Sequence, residues 1–273
     1  MSNRTIVITG ASDGIGRAAA EALKQRTDTT LVLVGRNPAK IAEIGKRLGC
    51  EYYACDYARL GDIRALAATL AEKHPVIDVL ANNAGGVLAP RTVTGDGYET
   101  TFQVNHLAGL LLTEQLLPSL RAGEGTIIFT SSMAAFQGSI ELTDLGKEKG
   151  WTSFGAYGAG KLANIVTAKA LQRRYGDDGI NAVSFHPGAV ATSFGSGAGL
   201  FVKLFYGSWL GKRLMRTPEQ GADTLVWLAT TKPGVDWRPG GYYSERQLKD
   251  PPKQAHDDAF GDRFLEASEL LIR

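Results

Sequence analysis

The 273-residue chain has few cysteines, almost no net charge and no long apolar run, and each shortage removes a class of function. Its two cysteines, Cys50 and Cys55, flank one predicted strand. Two thiols are too few for a disulfide framework and lack the spacing of a metal site, so buried, reduced thiols and no metal are expected. The formal charge is only +2, from 30 basic and 28 acidic residues spread along the chain. No basic block is present to hold nucleic acid or an anionic membrane. No stretch reaches the roughly 18 uninterrupted apolar residues of a spanning helix, and strand residues begin at Thr5, before a signal segment would fit. A cytoplasmic protein without an integral membrane segment is the expectation. Repeats and low-complexity linkers are missing too, and 44% hydrophobic composition suffices for one domain over 1–273.

What is present is alternation. Short apolar strands are predicted near Thr5–Thr9, Thr30–Val34, Glu51–Ala54, Val76–Ala81, Thr126–Thr130, Asn181–Phe185 and Gly241–Tyr243, mostly separated by helical periodicity. That pattern predicts a parallel sheet covered on both faces, with ligands at the strands' C-terminal ends. A long buried helix is expected over Glu99–Leu120, with Pro118 near its end, and another over Ala156–Arg174.

Between the first strand and an alanine-rich helix lies Thr9-Gly10-Ala11-Ser12-Asp13-Gly14-Ile15-Gly16. Glycines at a strand-to-helix turn permit tight backbone geometry and close approach of a pyrophosphate, while N–H groups at the helix start point at the anion. Gly10, Ser12, Asp13, Gly14, Ile15 and Gly16 are therefore cofactor-binding candidates. The second strand ends in Val34-Gly35-Arg36, where such a fold reads the adenosine ribose. An acid there suits a free 2′-hydroxyl; the planar fork of Arg36 suits a 2′-phosphate, hence NADP(H). Arg17 is a weaker candidate, since a first-turn arginine more often faces solvent. Asp56 and Tyr57 follow the third strand, and Asn83, Ala84 and Gly85 the fourth, all at the ligand edge. A helix cap at Asp56 and a polar turn at Asn82–Gly85 are the structural alternatives.

Tyr157 and Lys161 stand four apart, on one face of the predicted helix. A phenol with an ordinary pKa near ~10 is a poor base at neutral pH, but a neighbouring cation favours its phenolate. Tyr157 is then able to exchange a proton with a carbonyl or alcohol.

Thr9-Gly-x-x-x-Gly14-x-Gly16, Asn82-Asn83-Ala84-Gly85, Asn105, Ser131-Ser132, Tyr157-x-x-x-Lys161 and His186-Pro187-Gly188 occur in one order and together resemble the short-chain dehydrogenase/reductase family. More narrowly, Asp96–Glu99, Phe102–Leu107, Lys161–Asn164 and Gly240–Tyr243 resemble its retinol dehydrogenase and WW-domain oxidoreductase branch. The resemblance implies a Rossmann-like, three-layer α/β/α doubly wound domain of about seven mostly parallel strands, with a nicotinamide cofactor. Carried over by position, Ser132 bonds the reacting oxygen, with Ser131 the alternative. Tyr157 is the general acid/base, Lys161 lowers its pKa and holds the nicotinamide ribose, and Asn105 positions a relay water. Pro187, Gly188, Val190 and Thr192 contact the nicotinamide.

The resemblance also implies a substrate lid over 193–216, where Phe201, Phe205 and Trp209 fall at helical spacing. That segment also fits ordinary core or weak membrane-surface docking. Gly160 departs from the family, which usually has serine or another good helix former there, and suggests close packing. Relatives pair through their two long helices, so a homodimer is an option that the insertion around Leu142–Leu145 stands to block. The expected activity is NADP(H)-dependent interconversion of a small hydrophobic ketone or aldehyde and its alcohol. The alternatives are a cofactor sensor or scaffold without turnover, and epimerase or dehydratase chemistry, whose phosphate loop usually reads Gly-x-x-Gly-x-x-Gly.

Overall fold

A computed structural model describes residues 4–190 and 216–273. Its strands are β1 (Arg4–Thr9), β2 (Thr29–Gly35), β3 (Glu51–Ala54), β4 (Val79–Asn82), β5 (Thr126–Thr130), β6 (Asn181–Phe185), β7 (Tyr242–Ser244) and β8 (Gln247–Leu248). They form one sheet in the order β3-β2-β1-β4-β5-β6-β7-β8, parallel except for the antiparallel β7–β8 pair. The architecture is the expected three-layer α/β/α sandwich, with one strand more than expected. The addition is a two-residue hairpin partner, too short to show as a period-2 pattern.

Side-chain alternation along the strands builds two cores. Ile6 and Ile8 of β1 join Leu31, Leu33, Ile128 and Val183 on one face, under α1 (Gly14–Lys24), α2 (Pro38–Leu48) and, further along the chain, the helix Pro218–Thr230. Val7 points the other way, to Val32, Leu80, Ile127 and Phe129. That face is covered by α3 (Leu60–Lys73), α5 (Ala108–Ala122), α6 (Ser153–Tyr175) and the C-terminal helix Asp258–Leu271. In chain order the last two helices are α7 (Pro218–Thr230) and α8 (Asp258–Leu271).

Three predicted elements are corrected in detail. The fourth strand begins at Val79, not Val76: Val76 is exposed, and Ile77 N–H donates to the Ser119 carbonyl at the end of α5. The long helix starts as α4 (Thr100–Phe102), passes through a π turn at Gln103–Leu107, and continues as α5 through Pro118 to Ala122. No composition signal marks such a turn, although π turns concentrate at functional sites. The other long helix extends a few residues beyond its predicted Ala156 start, because Thr152 caps it, accepting from Gly155 N–H at 3.0 Å.

Among the described residues no helix is long and apolar enough to cross a membrane, and no cluster of side chains could hold a metal. Cys55 is buried, which pushes its thiol up to about 12, while Cys50 is only half-buried.

Candidate active site

The chain reverses direction across the sheet between β1 and β4, which opens the crevice where doubly wound folds bind ligands. The glycine turn closes over it. Gly10 and Gly14 have φ of 68° and 52°, left-handed values that a side chain resists. A Cβ on Gly16 would lie 2.3 Å from the Gly10 carbonyl oxygen, so helix α1 can start against the turn only without one. Thr9 locks the turn to β4: its Oγ1 donates to the Ala81 carbonyl at 3.0 Å and accepts from the Asn83 and Ala84 N–H groups. Asn83 Nδ2 donates to the Thr9 carbonyl, and its Oδ1 accepts from Thr130 Oγ1 at 3.1 Å. The Asn-Asn-Ala-Gly segment is thus a cross-strand brace as well as a turn.

The first N–H groups of α1 have no carbonyl within the helix to meet, which suits an anion. Asp13 caps Gly14 N–H at 2.8 Å and pairs with Lys40 at 3.6 Å, so its exposed carboxylate leans out of the phosphate position. Arg17 is engaged with Glu21 at 3.0 Å. Arg36, by contrast, is exposed at the end of β2 and makes no ion pair or hydrogen bond among the described residues. Ser12 packs against Gly35, where an added Cβ would meet its Oγ at 3.0 Å. Together these features fit the phosphates of a dinucleotide.

The adenine-side candidates divide. Asp56 accepts from Ala58 N–H at 3.1 Å, holding the loop that leads to α3. The Tyr57 ring is buried in the core, and its carbonyl accepts from Gln103 Nε2 at 3.3 Å.

The π turn aims Asn105 at the crevice. Its Oδ1 accepts from Gly86 N–H, and its Nδ2 donates to the Gly86 and Thr101 carbonyls, all at 2.9 Å. The amide therefore organises the loop after β4. Gly160 explains how α6 comes so near: a Cβ there would lie 3.1 Å from Asn105 Cβ. The same closeness appears at Gly85, where a Cβ would meet Asn105 Oδ1 at 2.5 Å and Lys161 Nζ at 2.9 Å.

Tyr157 and Lys161 lie on α6, both buried. Lys161 Nζ sits 5.7 Å from the Tyr157 ring centroid and donates to the Thr130 carbonyl at 3.1 Å. Burial lowers its pKa from 10.5 to about 8. The two serines after β5 have separate tasks. Ser131 is buried and its Oγ donates to the Lys161 carbonyl at 2.7 Å. Ser132 is part-exposed, in extended conformation, and its Oγ accepts from Ala134 N–H at the start of a 3₁₀ turn, leaving the hydroxyl proton to donate elsewhere.

At the next strand end, Gly188 has φ of 80° and donates its N–H to His186 Nδ1 at 3.2 Å. Val190 bridges to Arg216 and, with Ile15, packs where a Cβ on Gly221 of α7 would fall. Pro187, Gly188 and Val190 thus border the crevice beside the glycine turn. Thr192 and all of the lid candidate except Arg216 lie outside the described residues.

Sequence reasoning passed over three contributors: Thr9 as a brace, the Thr130 carbonyl as the lysine's acceptor, and Asn164, whose Nδ2 donates to that same carbonyl at 3.1 Å. A backbone acceptor leaves no mark in a sequence, though Asn164 falls one helical turn after Lys161 and shares its face.

Fold and site define a nucleotide-binding oxidoreductase of the doubly wound class. Comparison with known proteins then names the family. The family described as "short chain dehydrogenase" matches residues 4–198. The chain is 41% identical to "Putative daunorubicin C-13 ketoreductase DnrU" of Streptomyces sp. (strain C5), over 100% of this chain and 93% of that one. It is 32% identical to human retinol dehydrogenase 13, covering 98% of this chain and 84% of the relative. A solved structure of a protein from Mycobacterium Paratuberculosis superposes with a TM-score of 0.80 at 27% identity, over 99% of this chain and 94% of that one. The chain belongs to the short-chain dehydrogenase/reductase family, in its retinol dehydrogenase-like branch, and is an oxidoreductase acting on alcohol and carbonyl groups.

Proposed function

We propose that this protein is an NADP(H)-dependent carbonyl reductase acting on a hydrophobic ketone or aldehyde, with Tyr157 as its proton donor. The observation that carries the reading is the Lys161 ammonium, buried against the Tyr157 ring at the mouth of the dinucleotide crevice. A cation in a low-dielectric site favours the tyrosinate, which makes the phenol a better acid toward a substrate oxygen. Lys161 loses its own proton more readily than a free lysine, so the pair is suited to pass a proton inward near neutral pH.

When bound, the nicotinamide supplies the hydride chemistry. This chain's residues do the rest. The Ser132 hydroxyl hydrogen-bonds the carbonyl oxygen and keeps its proton, Tyr157 delivers the one proton to that oxygen, and Asn105 keeps the Gly85–Gly86 backbone beside Lys161. Gly10, Ser12, Gly14, Ile15 and Gly16, with the backbone of Asp13 rather than its carboxylate, hold the pyrophosphate, Asn83, Ala84 and Gly85 the adenosine side, and Pro187, Gly188 and Val190 the nicotinamide. The free guanidinium of Arg36 supports the 2′-phosphate assignment. Exposed Met133 and Phe136 beside Ser132, and Phe154 one turn before Tyr157, support an apolar substrate. The ketoreductase named among the relatives points to ketones, including those of polyketides.

Replacing Tyr157 with Phe removes only the hydroxyl. Carbonyl-dependent NADPH oxidation should fall at least ~10²-fold, the usual contribution of a positioned acid, while cofactor titration stays near wild type. Turnover retained in that variant refutes the assignment. Binding of NADPH by wild type with no turnover across retinoid, steroid and polyketide carbonyls favours a cofactor sensor instead.

A further inference from the structure

Behind Lys161 lies a row of buried polar groups that the reaction does not use directly. The Thr130 carbonyl receives two donors, Lys161 Nζ and Asn164 Nδ2, each at 3.1 Å. Asn164 in turn interacts with His106 of the π turn, and His106 Nε2 lies 3.1 Å from Ser268 Oγ on α8. His106, Asn164 and Ser268 are all buried. His106 is clamped between Phe102 and Phe264, with ring centroids 5.3 and 5.0 Å away. Burial drives its pKa down to about 3, so the imidazole is neutral and carries one proton. Two buried atoms in this row have no hydrogen-bond partner, Asn164 Oδ1 and His106 Nδ1. One arrangement serves both: the imidazole proton on Nδ1, aimed at Asn164 Oδ1, with Nε2 accepting from Ser268. Every donor then points toward the Thr130 carbonyl.

We propose that Asn164, backed by His106 and Ser268, is a positioning residue for Lys161: it shares and orients the carbonyl that holds the lysine's ammonium, and ties that carbonyl to the C-terminal helix. The proposal rests on the reading of Lys161 as partner of Tyr157. A carbonyl that accepts two donors is a weaker acceptor for each. Asn164 therefore limits how strongly the ammonium is stabilised and keeps the lysine able to release its proton. Burial is the influence resolved on Lys161, and among the described residues Tyr157 is the titratable side chain placed against it.

The test is an NMR titration of Lys161 in full-length protein carrying ¹³Cε-labelled lysine, read with the pH profile of kcat for a ketone. In Asn164→Ala the competing donor is gone and water gains access, and both changes favour the ammonium. Lys161 should titrate about one unit higher, the scale of one hydrogen bond to a charged group, and the limb of the kcat profile that Lys161 governs should move with it. His106→Leu should move the titration the same way by less, and His106→Gln, which keeps a donor and an acceptor, should restore part of it. Should Asn164→Ala not fold, Ser268→Ala and the His106 pair decide. Titrations that superpose on wild type in every folded variant overturn the proposal, even where melting temperatures fall. The NMR arm needs no turnover, so an inactive wild type would sink the functional reading alone.

Discussion

Lys161→Met should stabilise the protein while inactivating it, and the gain should depend on pH in a defined direction. Methionine keeps the length and apolar stem of the buried lysine and removes its charge. In the folded chain burial depresses the Lys161 pKa from 10.5 to about 8, whereas the unfolded chain keeps the ordinary value. Below pH 8 both states are protonated and the folded state carries the full penalty of a buried ammonium. Between about 8 and 10.5 the unfolded chain binds the proton and the folded chain does not, so wild-type stability from this group rises with pH. Above 10.5 the penalty is gone. At ~1.4 kcal/mol per pKa unit the depression corresponds to about 3 kcal/mol, an order-of-magnitude figure for a group only 2% exposed. The Thr130 carbonyl does not become an orphan in the variant, because Asn164 still donates to it. Urea unfolding of both proteins at intervals from pH 7 to 10.5 measures the difference; titrating groups remote from Lys161 cancel, and Tyr157→Phe in both backgrounds removes the one coupled to it. Lys161→Met should lead most at pH 7, with the lead shrinking by about 3 kcal/mol across the range. A lead that stays constant, or grows with pH, refutes the claim that Lys161 is held against its charge.

Two further substitutions probe the rest of the site, and a third a part-buried carboxyl of α5. Arg36→Ala should lower kcat/KM with NADPH by tenfold or more, an expected loss of ~1.4 kcal/mol or above, and leave the NADH value nearly unchanged; an unaltered ratio removes Arg36 from the 2′-phosphate. Gly16→Ala puts a Cβ 2.3 Å from the Gly10 carbonyl oxygen, so dinucleotide affinity by fluorescence titration should collapse, with about 1–3 kcal/mol of overpacking cost in denaturant unfolding. Glu114 is pushed up to about 7 by burial and by Glu269. A raised carboxyl costs stability as pH climbs from the ordinary 4.5 through 7, so Glu114→Gln should raise the melting temperature at pH 8 and leave it little changed at pH 4.5.

Much of this was readable from sequence because the signals are local. Ile6-Val7-Ile8 followed by glycines at the start of an alanine-rich helix fixes a strand, a turn and a phosphate-facing helix end without reference to the rest of the chain. The i, i+4 relation of Tyr157 and Lys161 is likewise a property of one helix. What escaped notice depends on contacts between distant segments. The Thr9 brace and the Thr130 carbonyl each involve backbone groups whose partners are chosen by the sheet order. The π turn is another case: its extra residue is accommodated because Gly160 lets α6 approach Asn105. A glycine that looks like a defect in a helix of good formers is a close-packing position. Ser131 and Ser132 show the limit most plainly, since neighbours in extended chain point oppositely and only the fold says that Ser131 is the one bonded to α6.

The same helix bears on pairing. Ala156 to Ala168 is buried at every position, so this middle stretch of α6 has no outward face, and its polarity shows no amphipathic period. Part of that cover is the insertion: Gly138 abuts the Gly158 carbonyl, Trp151 Nε1 donates to Glu99 at 3.2 Å, and Ile140 exchanges two hydrogen bonds with Gln254. The rest is α8, tied down by Arg173 to Asp258 and Asp262, by Arg174 to Glu269, and by the Tyr98 hydroxyl to the Leu271 carbonyl. A second copy seated on α6 would have to displace α8 and with it Ser268, the outer end of the polar row behind Lys161. The segments that cover this face of α6 are therefore the same ones that back Lys161.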